Sequence, residues 1–189
     1  MRALYLIRHA SPNVQPHVPA AEWTLSERGI EEAVRLAETA RSWGLRALYT
    51  SGEAKARATA LLVGEACGIG ANVVQGLEEL RFEEWIGNAD AFSDAVRSIL
   101  EQPNTVVHGA ERASAASARF AAAVRIIEQG ELPAAVVSHG RVMAAYLADV
   151  LRLDDPFALW RSIPMPGWAL LDLDGPRLVE EFRGADPRS

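Results

Sequence analysis

The sequence predicts an α/β fold, a three-layer sandwich in which a mainly parallel sheet is covered by helices on both faces. Short apolar runs, such as ALYLI at 3–7, alternate along the chain with longer alanine-rich segments of helical pattern. This alternation is typical of parallel sheets, whose two faces are buried under helices. The 189 residues contain no internal repeat and no linker, so we expect a single domain over 1–189.

Short apolar or β-branched runs mark the predicted strands. We expect strands at 3–7, 45–50, 70–76 and 133–138, followed by a terminal hairpin over 167–182. The hairpin is expected to turn at Asp174 and Gly175. The proline-rich segment 11–23 has no periodicity, so we expect a long loop there.

The helices are predicted from caps, apolar spacing and stop signals. Ser26 is expected to cap a first helix, and Ser51 a second helix through 52–66. The apolar face of the first helix is expected to hold Ile30, Val34, Ala37 and either Ala40 or Arg41. Further helices are expected near 89–102, where Pro103 ends the pattern, over 109–130 with Gly130 as stop, and over 141–151.

Composition narrows the classes of function. The chain is 49% hydrophobic, with a net charge of -6 and a pI near 5.3. This balance argues against general nucleic-acid binding, although it allows a local cationic pocket. The single cysteine, Cys67, cannot form an internal disulfide, and no apolar run approaches the roughly 18 residues that a membrane span needs. We therefore expect a cytoplasmic protein that binds neither nucleic acid nor membrane.

Charged and imidazole side chains follow two of the predicted strands. Arg8 and His9 end the first strand, and His139 ends the strand at 133–138. Lys55 lies one turn into the helix after the second strand. Ligands of parallel sheets bind beyond the carboxyl ends of the strands, so these residues are expected to converge there. This grouping of two cations, two histidines and a helix N-terminus predicts an anion site, and phosphate is the ligand that we expect there.

Such a site fits phosphoryl transfer. Neutral His9 is able to attack phosphorus and form a phosphohistidine, which divides one difficult displacement into two easier ones. Arg8 offers a planar fork of donors for phosphoryl oxygens, and Lys55 offers a point charge. The leaving oxygen needs a proton, which a carboxylic acid near the pocket is able to supply.

Five blocks in order resemble the histidine phosphatase superfamily, which includes phosphoglycerate mutases and many small phosphatases. They are LIRHAS, YTSGEAKARATA, LEELRFEEWIG, GAER and VVSHG, and they span about three quarters of the chain, residues 4–140. The resemblance implies that His9 is the nucleophile, that Arg8 and His139 contact the phosphoryl group, and that Glu79 is the proton donor. It also implies that neither a metal nor another cofactor is needed.

The sequence departs from the family pattern at several places. Lys55 stands where the family has a second phosphate-binding arginine, and a lysine lacks the bidentate fork. Gln15 stands where many members have a phosphate-contacting asparagine; Asn13 is an alternative. Ser11 replaces the usual acidic or amide residue, and Arg112 replaces a serine in the GAER block. Arg57 is expected to point away from Lys55, because two residues along a helix turn it by about 200°.

The sequence leaves alternatives open. A mutase, a weakened or regulatory phosphate-binding protein, and a phosphatase for phosphohistidine on a partner protein compete with a phosphatase for a small phosphorylated metabolite. The chain is short where mutases have an added segment, which favours hydrolysis. Glu111 is a second candidate acid, and Glu78, Glu83 and Glu84 lie close to Glu79. Trp23 and Trp85 are candidates for the mouth of the site; His17 and His108 are expected to be loop residues, and the oligomeric state is undetermined.

Overall fold

A computed structural model describes residues 1–82, 85–107 and 111–185. Within them the sheet is built from β1 (Ala3–Arg8), β2 (Ala47–Thr50), β3 (Ala71–Val73), β4 (Ala134–Ser138), β5 (Gly167–Asp172) and β6 (Arg177–Gly184). The α-helices are α1 (Glu27–Ala40), α2 (Ala54–Cys67), α3 (Ala89–Glu101), α4 (Ala113–Ile127), α5 (Gly140–Leu151) and α6 (Pro156–Ser162). Short 3₁₀ turns lie at Ala20–Glu22 and Arg41–Trp43.

The six strands form one sheet in the order β3-β2-β4-β1-β5-β6. The four strands β1 to β4 pair in parallel, and the terminal hairpin of β5 and β6 adds two antiparallel strands beside β1. The expected α/β architecture is therefore confirmed. The central pair matters for function, because β1 and β4 are neighbours in register, with Arg8 opposite Ser138.

Successive side chains of the strands point to opposite faces of the sheet, and a separate hydrophobic core lies on each face. Leu4, Leu6 and Val136 pack under α3, α4, α5 and α6. Ile7, Val137 and the Trp168 ring pack on the other face, under α1 and α2. Strands buried on both faces are expected to be continuously apolar, as ALYLI and AAVV are. The two cores hold the carboxyl ends of β1 and β4 in a fixed relation.

The predicted face of α1 is partly wrong. Ala37 and Ala40 are buried as expected, but Ile30 and Val34 are 48% and 44% exposed, and Ala33 and Leu36 are fully buried instead. The buried stripe therefore shares Ala37 and Ala40 with the predicted face and differs from it in the first half of the helix. Alanine residues make this stripe look weakly apolar, but their small side chains allow α1 to pack closely on α2. The Ser26 cap is confirmed, since its side chain accepts a hydrogen bond from Gly29 N.

Other boundaries differ for local reasons. The predicted Ser51 cap is wrong: α2 begins after Glu53, and the Ser51 hydroxyl is used elsewhere. In α4, helix begins at Ala113 rather than 109; residues 109 and 110 lie outside the described ranges. Helix α6 was not predicted, although Asp155 caps it and Pro156 occupies its first turn. Within the described ranges, no helix is both long and apolar enough to cross a bilayer.

Candidate active site

Two histidines meet at the carboxyl ends of the central strands. His9 follows β1, and His139 follows β4 and precedes α5. The parallel pairing continues past the strands, because His9 N donates to Ser138 O at 3.0 Å. The two imidazole rings lie edge to face with centroids 5.0 Å apart. The sheet register therefore brings together the two histidines that the sequence singled out.

His9 is buried and held in one tautomer. Its Nδ1 lies 2.8 Å from Ala10 O, and a carbonyl oxygen only accepts hydrogen bonds. Nδ1 therefore carries the proton, and Nε2 carries the lone pair. Burial is the main reason that the pKa of His9 lies well below its ordinary value, and the neighbouring His139 lowers it further. The ring is neutral at physiological pH, which is the state a nitrogen nucleophile requires.

His139 is fully buried and lies against Ser51. Its Nε2 is 2.8 Å from Ser51 Oγ, which also accepts the Glu53 N–H. We assign the Ser51 hydroxyl as donor to Nε2, which leaves the proton on Nδ1. Among the described residues Nδ1 has no hydrogen-bond partner. Burial lowers the pKa of His139 to about 3, although Glu79 opposes this. The His139 ring is thus neutral, and within the described residues its Nδ1–H is a buried donor without an acceptor.

Arg8 lies beside the N-terminus of α5. Its Nη1 donates to Ile163 O at 2.7 Å, while the buried Nε has no partner within the described residues. A Cβ atom on Gly140 would lie 3.1 Å from Arg8 Cζ, so the glycine permits this close approach. Burial lowers the pKa of Arg8, and Glu79 raises it. The guanidinium stays charged and retains donors for an anion.

Lys55 is buried in an ion pair that the sequence analysis missed. Its ammonium donates to Glu53 Oε2 at 2.5 Å and to Ala20 O at 2.7 Å. The other Glu53 oxygen accepts the Glu79 N–H at 2.8 Å and lies 3.6 Å from His139 Nε2. The charge of Lys55 is therefore partly neutralised. No local sequence pattern signals this ion pair, because the burial of Lys55 depends on tertiary packing.

Glu79 is fixed by backbone donors and by one arginine. Its Oε1 accepts from Leu80 N and Val142 N, both at 2.9 Å. Its Oε2 lies 3.3 Å from Arg141 Nε. Burial raises the pKa of Glu79, but Arg141, His139 and the backbone donors outweigh burial and lower it to about 2. The free site holds this carboxyl group as an anion.

Arg119 fixes the segment that carries Glu79. Its guanidinium donates to the carbonyl oxygens of Gly76, Glu78 and Glu79 at 2.7–3.0 Å. It also makes two bonds of 2.8 Å to the carboxylate of Glu111. The second candidate acid, Glu111, is thus placed in an ion pair that supports the Glu79 segment.

The remaining candidates lie outside this cluster or outside the described ranges. Gln15 is exposed, and its backbone carbonyl accepts from Trp23 Nε1 at 3.0 Å. Trp23 and Trp85 contact each other edge to face at 5.5 Å, which joins the 11–23 loop to the segment after Phe82. Arg57 is exposed, as expected. Glu83, Glu84 and His108 fall outside the described residues.

The arrangement joins the neutral imidazole of His9, the cations Arg8 and Lys55, and the carboxylate of Glu79. Arg8, Lys55 and the His139 Nδ1–H are donors suited to phosphoryl oxygens. In the described part of the chain, no three histidine, cysteine, aspartate or glutamate side chains lie together as metal ligands. The chemistry that these groups support is phosphoryl transfer to a nitrogen nucleophile.

Comparison with known proteins agrees with this chemistry. The family model of the histidine phosphatase superfamily (branch 1) matches residues 4–181. Mycobacterial glucosyl-3-phosphoglycerate phosphatase, solved with inorganic phosphate, is 25% identical with a TM-score of 0.76; the match covers 98% of this chain and 99% of that one. No curated protein sequence matches the chain significantly.

Two more distant structures share the fold. Bacillus stearothermophilus YhfR is 23% identical with a TM-score of 0.76, and the match covers 95% of this chain and 96% of that one. A phosphoserine phosphatase from Entamoeba histolytica, solved with 3-phosphoglyceric acid, is 19% identical with a TM-score of 0.76. In that case the match covers 97% of this chain and 98% of the other. The same architecture therefore occurs in several solved structures.

Proposed function

Because the chain belongs to the histidine phosphatase superfamily (branch 1), we propose that it hydrolyses phosphate monoesters through a phosphohistidine formed on His9. The observation that carries this proposal is the contact between His9 Nδ1 and Ala10 O, from which we assign the tautomer of His9. Its Nδ1–H is directed to Ala10 O at 2.8 Å, which leaves Nε2 unprotonated beside His139. A buried imidazole held in this way is a competent nucleophile that needs no prior deprotonation.

In the first half of the reaction, His9 Nε2 attacks phosphorus and the bond from phosphorus to the ester oxygen breaks. Arg8, Lys55 and His139 hold the phosphoryl oxygens, where negative charge accumulates. The leaving oxygen takes a proton from Glu79 and departs as an alcohol. In the second half, a water oxygen attacks phosphorus, Glu79 accepts a water proton, and the bond to Nε2 breaks. Inorganic phosphate leaves, and His9 regains its lone pair.

The proposal requires Glu79 to change its protonation state when substrate binds. The pKa of Glu79 is about 2 in the free site, so the group begins as an anion. A phosphoryl dianion bound between Arg8 and His139 places negative charge beside Glu79, which disfavours its anionic form. Substrate binding therefore raises the pKa of Glu79 toward the range in which a carboxyl group works as an acid.

The substrate is proposed to be a small phosphorylated metabolite. The site lies under the 11–23 loop, since Ala20 O contacts Lys55, and both histidines are almost completely buried. A small ester reaches such a site more easily than a phosphohistidine on a partner protein. The mycobacterial relative named above acts on glucosyl-3-phosphoglycerate. We further propose that the reaction needs no metal ion, because Arg8, Lys55 and His139 supply the charge stabilisation.

The test is hydrolysis of an aryl phosphate by the wild type and by His9→Asn, each with and without a chelator. The proposal expects turnover that survives the chelator and falls by at least about a thousandfold in the variant. His17→Asn is the matched control, since it changes an exposed loop histidine. Turnover that is unchanged in His9→Asn, or that the chelator abolishes, would contradict the mechanism. Transfer of phosphate to a second site of a phosphorylated sugar acid, without release, would indicate a mutase.

A further inference from the structure

Arg141 is a cation of the site to which the proposed reaction gives no task. It is the second residue of α5, and its side chain is 13% exposed beside Glu79, which is 16% exposed. Its Nε lies 3.3 Å from Glu79 Oε2 without forming a hydrogen bond. Within the described residues, neither Nε nor Nη1 has a hydrogen-bond partner. Buried guanidinium donors are normally satisfied, so this arginine has unused binding capacity.

Two aromatic rings hold the guanidinium of Arg141 in place. Its Cζ lies 4.4 Å from the centre of the Phe82 ring and 5.4 Å from that of Phe92. The two rings contact each other edge to face at 5.6 Å. Contact with the aromatic rings does not satisfy the N–H donors, so Nε and Nη1 stay buried without an acceptor among the described residues. The group is therefore oriented before any ligand binds.

The position of Arg141 places a second anion next to the phosphoryl group. It follows His139 and Gly140, and the Gly140 backbone lies against the guanidinium of Arg8. Arg8 and Arg141 thus both lie near the N-terminus of α5, and the charge of Arg141 acts on Arg8. The two cations are therefore suited to the two anionic groups of one short ligand. The partner that Arg141 already has is the carboxylate of Glu79, whose planar shape matches the guanidinium edge.

We propose that Arg141 binds a carboxylate of the substrate, so that the enzyme prefers short phosphorylated carboxylic acids, and that this contact releases Glu79 from Arg141 and prepares it to donate a proton. The inference rests on the proposed function and deepens it. Arg141 is then a specificity residue that also controls the acid.

The control of Glu79 follows from the charges that surround it. The groups that face it are Arg141 and His139 at the start of α5, Arg8 on β1, Glu53 before α2, Arg119 on α4, and Glu78 and Glu111. Among the groups that lower the pKa of Glu79, Arg141 is the largest. A substrate carboxylate neutralises Arg141, so the pKa of Glu79 rises. Glu79 then takes one proton from solvent and gives it to the leaving oxygen as the ester bond breaks.

The experiment compares two esters that differ only at one end, 3-phosphoglycerate and glycerol 3-phosphate. The first has a carboxylate where the second has a hydroxymethyl group. The inference expects kcat/KM to be roughly 10- to 100-fold higher for 3-phosphoglycerate, the usual range for a charge-assisted contact. In Arg141→Met, which keeps an apolar stem against Phe82, this preference is expected to disappear.

The pH profile separates this role from a structural one. Loss of Arg141 raises the pKa of Glu79, so the protonated acid persists to higher pH. For glycerol 3-phosphate, the alkaline limb of kcat is therefore expected to move to higher pH in Arg141→Met. A merely structural defect would lower kcat/KM for both substrates by the same factor and would leave the alkaline limb of the pH profile at its wild-type pH. Arg97→Met is the matched control, because Arg97 also stacks on a phenylalanine, Phe157, at 4.0 Å.

Should Arg141→Met not fold, Arg141→Lys is the second variant, with the charge retained and the fork lost. It is expected to reduce the substrate preference while leaving the alkaline limb where it is in the wild type. If the wild type hydrolyses both esters with equal kcat/KM and this hydrolysis requires His9, the inference about Arg141 is overturned and the proposed phosphatase activity stands. A substrate preference as large as that of the wild type, in either folded variant, would also overturn the inference. Absence of any His9-dependent hydrolysis would instead overturn the proposed function.

Discussion

At the scale of single residues, the site combines groups that sequence position reveals with groups that only tertiary contacts reveal. Arg8, His9 and His139 could be predicted because each directly ends a buried strand. Glu53 could not, since nothing local shows that its side chain turns inward to meet Lys55, Glu79 N and His139. Ser51 has a good capping pattern, but its hydroxyl contacts His139 instead.

Glu53 is expected to weaken phosphate binding. Its carboxylate neutralises Lys55 and lies 3.6 Å from His139 Nε2, so it opposes an anion in the site. Glu53→Gln keeps the shape and removes the charge. We expect inorganic phosphate to bind roughly tenfold more tightly to this variant, measured by calorimetry. Glu65→Gln, an exposed change on the same helix, is the control. Unchanged or weaker phosphate binding by a folded Glu53→Gln variant would contradict the expectation.

The buried histidines are expected to make the fold sensitive to acid. Burial lowers the pKa of His139 to about 3 and that of His9 well below its ordinary value. The folded state therefore binds fewer protons than the unfolded state, and stability is lost as pH falls below about 6.5 toward the folded pKa. The shift of His139 is expected to cost roughly 2 kcal/mol by pH 5, and that of His9 acts in the same direction.

Urea unfolding at pH values from 7 to 4 measures this dependence. His139→Gln is expected to unfold with a flatter dependence on pH, whatever its stability at pH 7. A wild type whose unfolding free energy does not change between pH 7 and 5 would show that these histidines are not held neutral.

At the scale of elements, the packing of α1 shows why some predictions fail. Its apolar spacing favoured a face with Ile30 and Val34, but the buried stripe holds Ala33 and Leu36 in their place, beside Ala37 and Ala40 as expected. Two overlapping stripes on one helix cannot be distinguished from spacing alone, because the partner helix decides which is covered. Here α2 approaches closely, and small alanine side chains suit that contact better than branched ones.

This corrected face of α1 can be tested by stability. Leu36→Ala removes a fully buried side chain and is expected to lower the unfolding free energy by about 3 kcal/mol. Ile30→Ala removes a side chain that is 48% exposed and is expected to change it by less than about 0.5 kcal/mol. Denaturant unfolding of both variants measures the difference. Equal losses would mean that the stripe with Ile30 is the packed one.

Helix α4 supports the site through Arg119. Its guanidinium bonds three carbonyl oxygens of the segment 76–79 and the Glu111 carboxylate. Arg119→Met is expected to loosen Glu79 and reduce kcat by roughly tenfold or more with a smaller change in KM, as befits a positioning residue. Arg125→Met, on an exposed face of α4, is the control. A rise in KM with an unchanged kcat would contradict this role and would assign Arg119 to substrate binding instead.

At the scale of the whole molecule, topology assembles the site. The parallel register of β1 and β4 sets Arg8 opposite Ser138, and the residues that follow bring His9 and His139 within contact. The alternation of strands and helices is enough to predict the sheet and the edge at which the ligand binds. Strand order, and with it the identity of the neighbours, depends on long-range packing that no local pattern encodes. The positions of Arg141 and Glu53 could therefore not be predicted.

In the proposed reaction, the phosphoryl group is bonded to His9 between the two displacements. Rapid acid-free quenching of the enzyme with excess phosphate ester, followed by peptide mass spectrometry, detects this intermediate. We expect a phosphoryl group on the peptide that contains His9, labile to acid, formed before alcohol release is complete and absent in His9→Asn. Hydrolysis at the wild-type rate with no phosphoryl group on His9 at any quench time would contradict it.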